Sequence, residues 1–458
     1  MSELATTPTA AVFHGLVRTM AAVLDADDGW PASHAGRVAL VTRRIATTMG
    51  LADVAVPYYA ALLHDLGGSG LDEHITAHAE RAFTEPSAQA HPRLGAELIS
   101  TCSVLAPVRG LVELHHERAD GTGFPFGRAG DDVPAAASII GLADAIELGL
   151  RMAGAADRRV ALAATLHDQA RGAAPRPLID AAWATFAGDA DLLDALFDPG
   201  ALAVAHATPA PGFPGLAGLE PVELVTPLAM LLARLVDGRS HRTRGHSTRV
   251  AYLGFQIAHA LGPDVVDPWD VAWAGLLHGV GWTALARRTL DRLDFAEPGL
   301  QARVARRADD LVAALPGLGY LAHAVTALHA HSDGNGVPGG LRGEQIPLVA
   351  RILGYADSYD QLTSYQTARG PLAHPSALAA VRDQVGTVLD PHLAELALAT
   401  LDRVAALRQE PPTPDDWRTY FEVRPGPPVV APARTAPRPV GRGALLVDLE
   451  PWQAATAT

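Results

Sequence analysis

The chain has 458 residues, a net charge of −14 and a sequence pI near 5.7, which excludes a broad basic surface for non-specific nucleic acid binding, so no DNA partner is expected. No window of about 18 apolar residues is free of proline or charge, so no membrane-spanning helix is expected. The opening Met1-Ser2-Glu3-Leu4 lacks the basic and apolar regions of a secretion signal. The lone Cys102 cannot form an internal disulfide, which fits a cytoplasmic location. All 36 basic residues are arginine, so no lysine can act as catalyst or phosphate anchor.

In chain order, Phe13, Leu16, Met20, Val23 and Leu24 form an apolar stripe at helical spacing. Val38, Val41, Ile45 and Met49 form another, on a segment that begins at His34. Then come His64-Asp65, His91, His115-His116, a glycine-rich loop from Asp120 to Pro125, and Asp144. Residues 207–221 hold four prolines and read as a linker. Beyond it the order repeats as His246, His278-Gly279, His329, a loop from Asp333 to Pro338, and Asp357, with Val271 to Leu277 reading as a buried helix leading into His278. Corresponding positions lie about 213 residues apart, a register that implies internal duplication. Residues 424–443 form a proline-rich tail. Strand-like alternation is scarce. We therefore expect an all-α protein of two tandem helical domains, 1–206 and 222–424, joined by 207–221 and followed by a tail at 425–458.

The two copies differ in their chemistry. Neutral imidazole and carboxylate bind divalent metals. His34, His64, His91, His115, His116, Asp65 and Asp144 supply seven ligands in the first half, and the His64-Asp65 dipeptide suits a binuclear site in which the carboxylate bridges two ions. In the second half the bridging position is Gly279, the first residue of the histidine pair is Leu328, and Ala302 to Leu318 has no histidine. That should abolish a binuclear centre, while a mononuclear site from His246, His278 and Asp357 stays open. Leu166-His167-Asp168 repeats the dipeptide without other ligands around it and reads as structural or surface. The loop of Gly121, Gly123 and Pro125 directly follows two ligands, so it is expected to shape the site or a partner surface.

The first half resembles an HD-GYP domain, a branch of the HD metal-dependent phosphohydrolases. The matching runs are His34 to Val38, Leu63 to Gly67, His91 to Gly95, His115 to Pro125, and Ala143-Asp144; the second half is similar through Gly245 to Val250, Asp333 to Pro338, and Ile346 to Asp360. The resemblance implies two tandem HD-type helical domains, the second degenerate. It also implies two divalent ions of iron or manganese type and hydrolysis of a cyclic dinucleotide such as cyclic di-GMP in bacterial signalling. On it, Asp65 bridges the ions, the other six ligands complete their shells, and His64 and Asp65 sit at the catalytic centre. Gly121, Gly123 and Phe124 border the substrate. The family lysine is Gly68 here, the tyrosine of Gly-Tyr-Pro is Phe124, and the arginine before the final aspartate is Ser138. Arg93 and Arg118 are then the nearest cations for substrate phosphate. Two alternatives stay open: a non-catalytic module that binds nucleotide or a signalling partner, and a phosphohydrolase for another nucleotide. A homodimer is left open.

Overall fold

The computed structural model describes residues 3–27, 33–71, 74–77, 85–290, 298–364 and 370–406. The expected tail, 425–458, and the end of the expected second domain lie outside the described residues. Those described fold into α- and 3₁₀-helices with no β-strand among them; two isolated bridges, Asp120 to Ala129 and Val385 to Leu389, brace turns. None of these helices is long and apolar enough to cross a membrane.

Both apolar stripes are buried as the spacing predicts. Helix Thr9–Leu24 buries Phe13, Leu16, Met20 and Val23, and helix His34–Thr48 buries Val38, Val41 and Ile45. Helix Thr9–Leu24 packs along Pro221–Asp237, its register equivalent in the second half. One continuous hydrophobic core runs through both halves.

The helices that carry the first ligand of each half start in related ways. A helix leaves its first N–H groups unpaired, so something must accept from them. At His34–Thr48, Ser33 Oγ accepts from Gly36 N at 2.9 Å and the Asp25 carboxylate accepts from Ala35 N at 3.0 Å. At His246–Leu261 the capping position is Gly245, at φ 68°, and offers no side chain. Asp237 accepts there from Ser247 N at 2.8 Å and Ser247 Oγ at 2.7 Å, and the Thr243 carbonyl accepts from His246 N at 2.9 Å.

Close backbone crossings bring the ligand-bearing segments together. A Cβ on Gly67 would lie 2.0 Å from the His91 carbonyl oxygen, so only glycine lets the turn after Asp65 touch helix Pro86–Ser100. A Cβ on Gly141 would lie 2.2 Å from the His115 carbonyl oxygen, which presses the helix bearing Asp144 onto the His115 turn.

Residues 207–221 do not run free as a linker. Ala210, Phe213 and Leu216 are buried, and the Phe213 ring lies 4.5 Å from Phe13 and 5.2 Å from Tyr59 between centroids. Composition marks the turns that the prolines make; it does not show that the apolar residues between them have a core to enter. Phe213→Ala should therefore lower stability by about 3 kcal/mol, as for other buried aromatic truncations. Denaturant unfolding checks this, and a loss below about 0.5 kcal/mol would mean the segment is loose after all.

Candidate metal centre

Four histidines of the first half are fixed by what their outer nitrogens touch. His64 follows helix Ala55–Leu62, and its Nδ1 lies 2.8 Å from the Ala61 carbonyl. His115 follows helix Arg109–Leu114, and its Nδ1 lies 2.7 Å from the Val112 carbonyl. Carbonyls at a helix end lack partners and can only accept, so each Nδ1 carries the proton. His91 sits inside a helix, where its Nδ1 meets the Ala88 carbonyl at 2.5 Å. Pro92 frees that carbonyl, because it has no N–H to reach back four residues. His34 Nδ1 faces the Glu147 carboxylate at 2.6 Å, and Glu147 in turn accepts from Arg37 Nε at 2.6 Å and Arg151 Nε at 3.1 Å. In each neutral ring Nε2 is then a bare lone pair turned inward, the state a metal needs.

These nitrogens form two groups joined by Asp65. His34 Nε2 and His64 Nε2 lie 3.3 and 3.2 Å from Asp65 Oδ2, and Asp144 Oδ1 is 3.4 Å from His34 Nε2. His91 Nε2 lies 3.4 Å from the other oxygen, Asp65 Oδ1, and 3.2 Å from His115 Nε2. His116 completes the second group, its ring packed on His115 and Phe124 at 4.1 and 4.7 Å. The seven expected ligands thus converge, with one oxygen of Asp65 turned to each side.

The two sides differ electrostatically. Burial opposes charge on His64, but Asp65 and Asp144 outweigh it and push its pKa up to about 10. His34 is raised well above its ordinary value by Glu147, Asp65 and Asp144, again against burial. On the other side burial, then the neighbouring rings, hold His115 and His116 well below the usual histidine range. Without metal, protons therefore gather on the carboxylate side, and the three-histidine side is neutral and ready to accept an ion.

A cavity of about 200 Å³ opens over both groups, walled by Ile75, Leu142, Leu148 and Ala174 and by the polar side chains of Arg118, Ser138 and Gln169. Arg118 reaches this wall. Arg93 does not: it is exposed and not on this wall, because it follows Pro92 on the outer face of its helix. Phe124 is buried against His116 and backs a ligand. Gly121 and Gly123 also stand off the cavity and form its loop; Gly121 has φ 77°, and a Cβ on Gly123 would lie 2.4 Å from the His116 carbonyl oxygen. Glu117, part of the matching run but given no role from sequence, holds that loop by accepting from Phe126 N and Arg128 N, both at 2.7 Å. Glu147 was also missed; its place one helical turn after Asp144, on the same face, was the available signal. His167 and Asp168 are exposed, as expected of an isolated dipeptide. Among the described residues, the arginines beside Gly68 come from the second half. Arg287 donates to the Ser69 and Leu71 carbonyls, and Arg239 lines the same small recess.

A family model described as HD domain matches residues 18–151 and 230–393. The 3'3'-cGAMP-specific phosphodiesterase 3 of Vibrio cholerae is 32% identical over 161 residues, 34% of this chain and 35% of that protein. The cyclic di-GMP phosphodiesterase response regulator RpfG of Xanthomonas campestris is 31% identical over 172 residues, 36% of this chain and 46% of that protein. The chain thus spans between a third and a half of these relatives' length. A crystal structure of the V. cholerae cyclic GMP-AMP specific phosphodiesterase V-cGAP3 matches 87% of this chain and 98% of its own, with TM-score 0.55 and 19% identity, a likeness of fold.

Pro92→Ala should loosen the three-histidine group. The restored N–H would compete for the Ala88 carbonyl and release the His91 ring, weakening metal binding by about 10-fold or more. Helix stability should hold or rise, since proline is a poor interior residue. Metal titration with thermal unfolding tests this, and unchanged affinity would remove Pro92 from the argument.

Proposed function

This chain belongs to the HD domain family, and we propose that its first half is a metal-dependent phosphodiesterase acting on a cyclic dinucleotide. The observation that carries the reading is the placement of Asp65, one oxygen on each of two ligand groups at the floor of an open cavity. The mixed imidazole and carboxylate donors suit two iron or manganese ions. Such a pair, when bound, supplies a low-pKa water and a clamp for phosphate oxygens.

The remaining work falls to the chain. Asp65 and Asp144 supply the carboxylates of the centre, and Glu147 holds the His34 ring in register. Arg118 stands on the cavity wall, where it can offset charge that grows on a phosphate in the transition state. Ile75, Leu142 and Leu148 give the apolar surface that limits water. In the reaction a water oxygen bonds to phosphorus, one ribose oxygen leaves, and that oxygen takes a proton. Relatives that carry cyclic di-GMP and 3'3'-cGAMP in their names support the substrate class; cyclic di-GMP is the member we would try first. The division into 1–206 and 222–424, with the second half as scaffold, accompanies this reading. So does a cytoplasmic setting, where Cys102 stays reduced; burial pushes its thiol up to about 12.

Asp65→Ala should cut hydrolysis of a cyclic dinucleotide by about 100-fold or more in anaerobically purified, metal-loaded protein. Asp168→Ala should leave it intact. Chromatography of the linear product against both variants decides the matter; equal activity in the two would mean the site lies elsewhere. If the metal-replete wild type hydrolyses no cyclic dinucleotide, the substrate class is wrong.

A further inference from the structure

We propose that the second half holds a single divalent cation between His246, His278 and Asp357, with His329 beside them, and that this ion serves the fold rather than phosphodiester chemistry.

The argument begins with hydrogen positions. His278 ends helix Pro268–Leu277, and its Nδ1 lies 2.6 Å from the Gly275 carbonyl, which can only accept. The Nδ1 of His246 lies 2.7 Å from Asp360 Oδ2, and Arg249 Nε donates to the other oxygen of that carboxylate at 2.5 Å. Both rings thus spend an Nδ1 proton outward, as their counterparts in the first half do. Their Nε2 atoms face each other at 3.0 Å, and Asp357 Oδ1 lies 3.3 Å from that of His246. Asp357 Oδ1 is buried and accepts no hydrogen bond, while Oδ2 accepts from Gln361 Nε2 at 2.7 Å. Three acceptors therefore converge on one point. One extra proton on His246 could serve the ring at 3.0 Å or the carboxylate at 3.3 Å, but not both. A divalent cation satisfies all three. His329 Nδ1, 3.8 Å from Asp357 Oδ2, stands on the more open side as a fourth donor.

The same residues limit the site to one ion. A Cβ on Gly279 would lie 2.6 Å from Ser247 Oγ, which is engaged with Asp237, so the turn has closed over the place of a bridging carboxylate. Leu328 stands at the first position of the former histidine pair. A lone ion here lacks the second metal that phosphodiester cleavage uses at Asp65. What it can do is tie the start of helix His246–Leu261, the His278 turn and helix Leu348–Thr363 together.

The test uses the full chain, reloaded with Mn²⁺ or Zn²⁺ and desalted, with metal counted by elemental analysis. The wild type should carry one ion more per chain than Asp357→Asn, and one more than His278→Ala should either variant fold poorly. Asp65→Ala should keep the ion that Asp357→Asn loses, and adding Asp357→Asn to Asp65→Ala should remove it. That ion should also raise the thermal midpoint of Asp65→Ala and leave that of the double variant unmoved. Equal counts in wild type and a folded Asp357→Asn would overturn this proposal and leave the first-half centre standing. Loss confined to the Asp65→Ala comparison would do the same.

Discussion

His34, His64, His91 and His115 each spend the Nδ1 proton on an acceptor outside the cluster, and this leaves their inward nitrogens with the lone pairs a metal would need. In the neutral rings the inward nitrogens then have no proton to share, and those of His34, His64 and His91 crowd around a buried carboxylate at 3.2 to 3.4 Å. Bare lone pairs at that distance repel, and burying the carboxylate without full partnership costs several kcal/mol. The remainder of the first half is arranged to hold this unfavourable convergence together. Bound metal would discharge it, and protons on His34 and His64 do so in part.

The means of holding it are those of helix ends and crossings. Two ligands lie just past the last turn of a short helix, where free carbonyls await a donor. A third uses a carbonyl that proline has freed within a helix. Glycines at 67 and 141 bring separate segments to backbone contact, so that His91 reaches Asp65 and Asp144 reaches His34. Burial of the large apolar stripes makes these placements rigid.

The two halves share a framework and differ in the donor groups it carries. Each keeps a carboxylate that caps the first ligand helix, a ring turned outward to an acid, and an arginine on that acid: Asp25, His34, Glu147 and Arg37 in one, Asp237, His246, Asp360 and Arg249 in the other. Only the second lacks the bridge. Its Arg287 reaches across to the turn after Asp65, near the position where a lysine would stand in the family pattern. The second half thereby forms part of the first site's surroundings.

The order and spacing of histidines and aspartates were legible along the chain because chemistry fixes residue type and the same order recurs about 213 residues on. The all-α class was legible because burial imposes a period of about 3.6 on apolar residues. Several things were not. Glu147 is one acidic residue among 50 acidic side chains until the fold sets it against His34. Arg93 looked available from its nearness in sequence to His91, yet helical geometry turns it outward. The proline-rich stretch 207–221 looked like a linker because proline breaks helices; whether Phe213 finds a core depends on residues some 150 to 200 positions away. Sequence by itself determines which groups exist and which local periods they follow. Which lone pairs meet, and which protons have gone elsewhere, are properties of contacts between distant segments, and only the tertiary structure decides them.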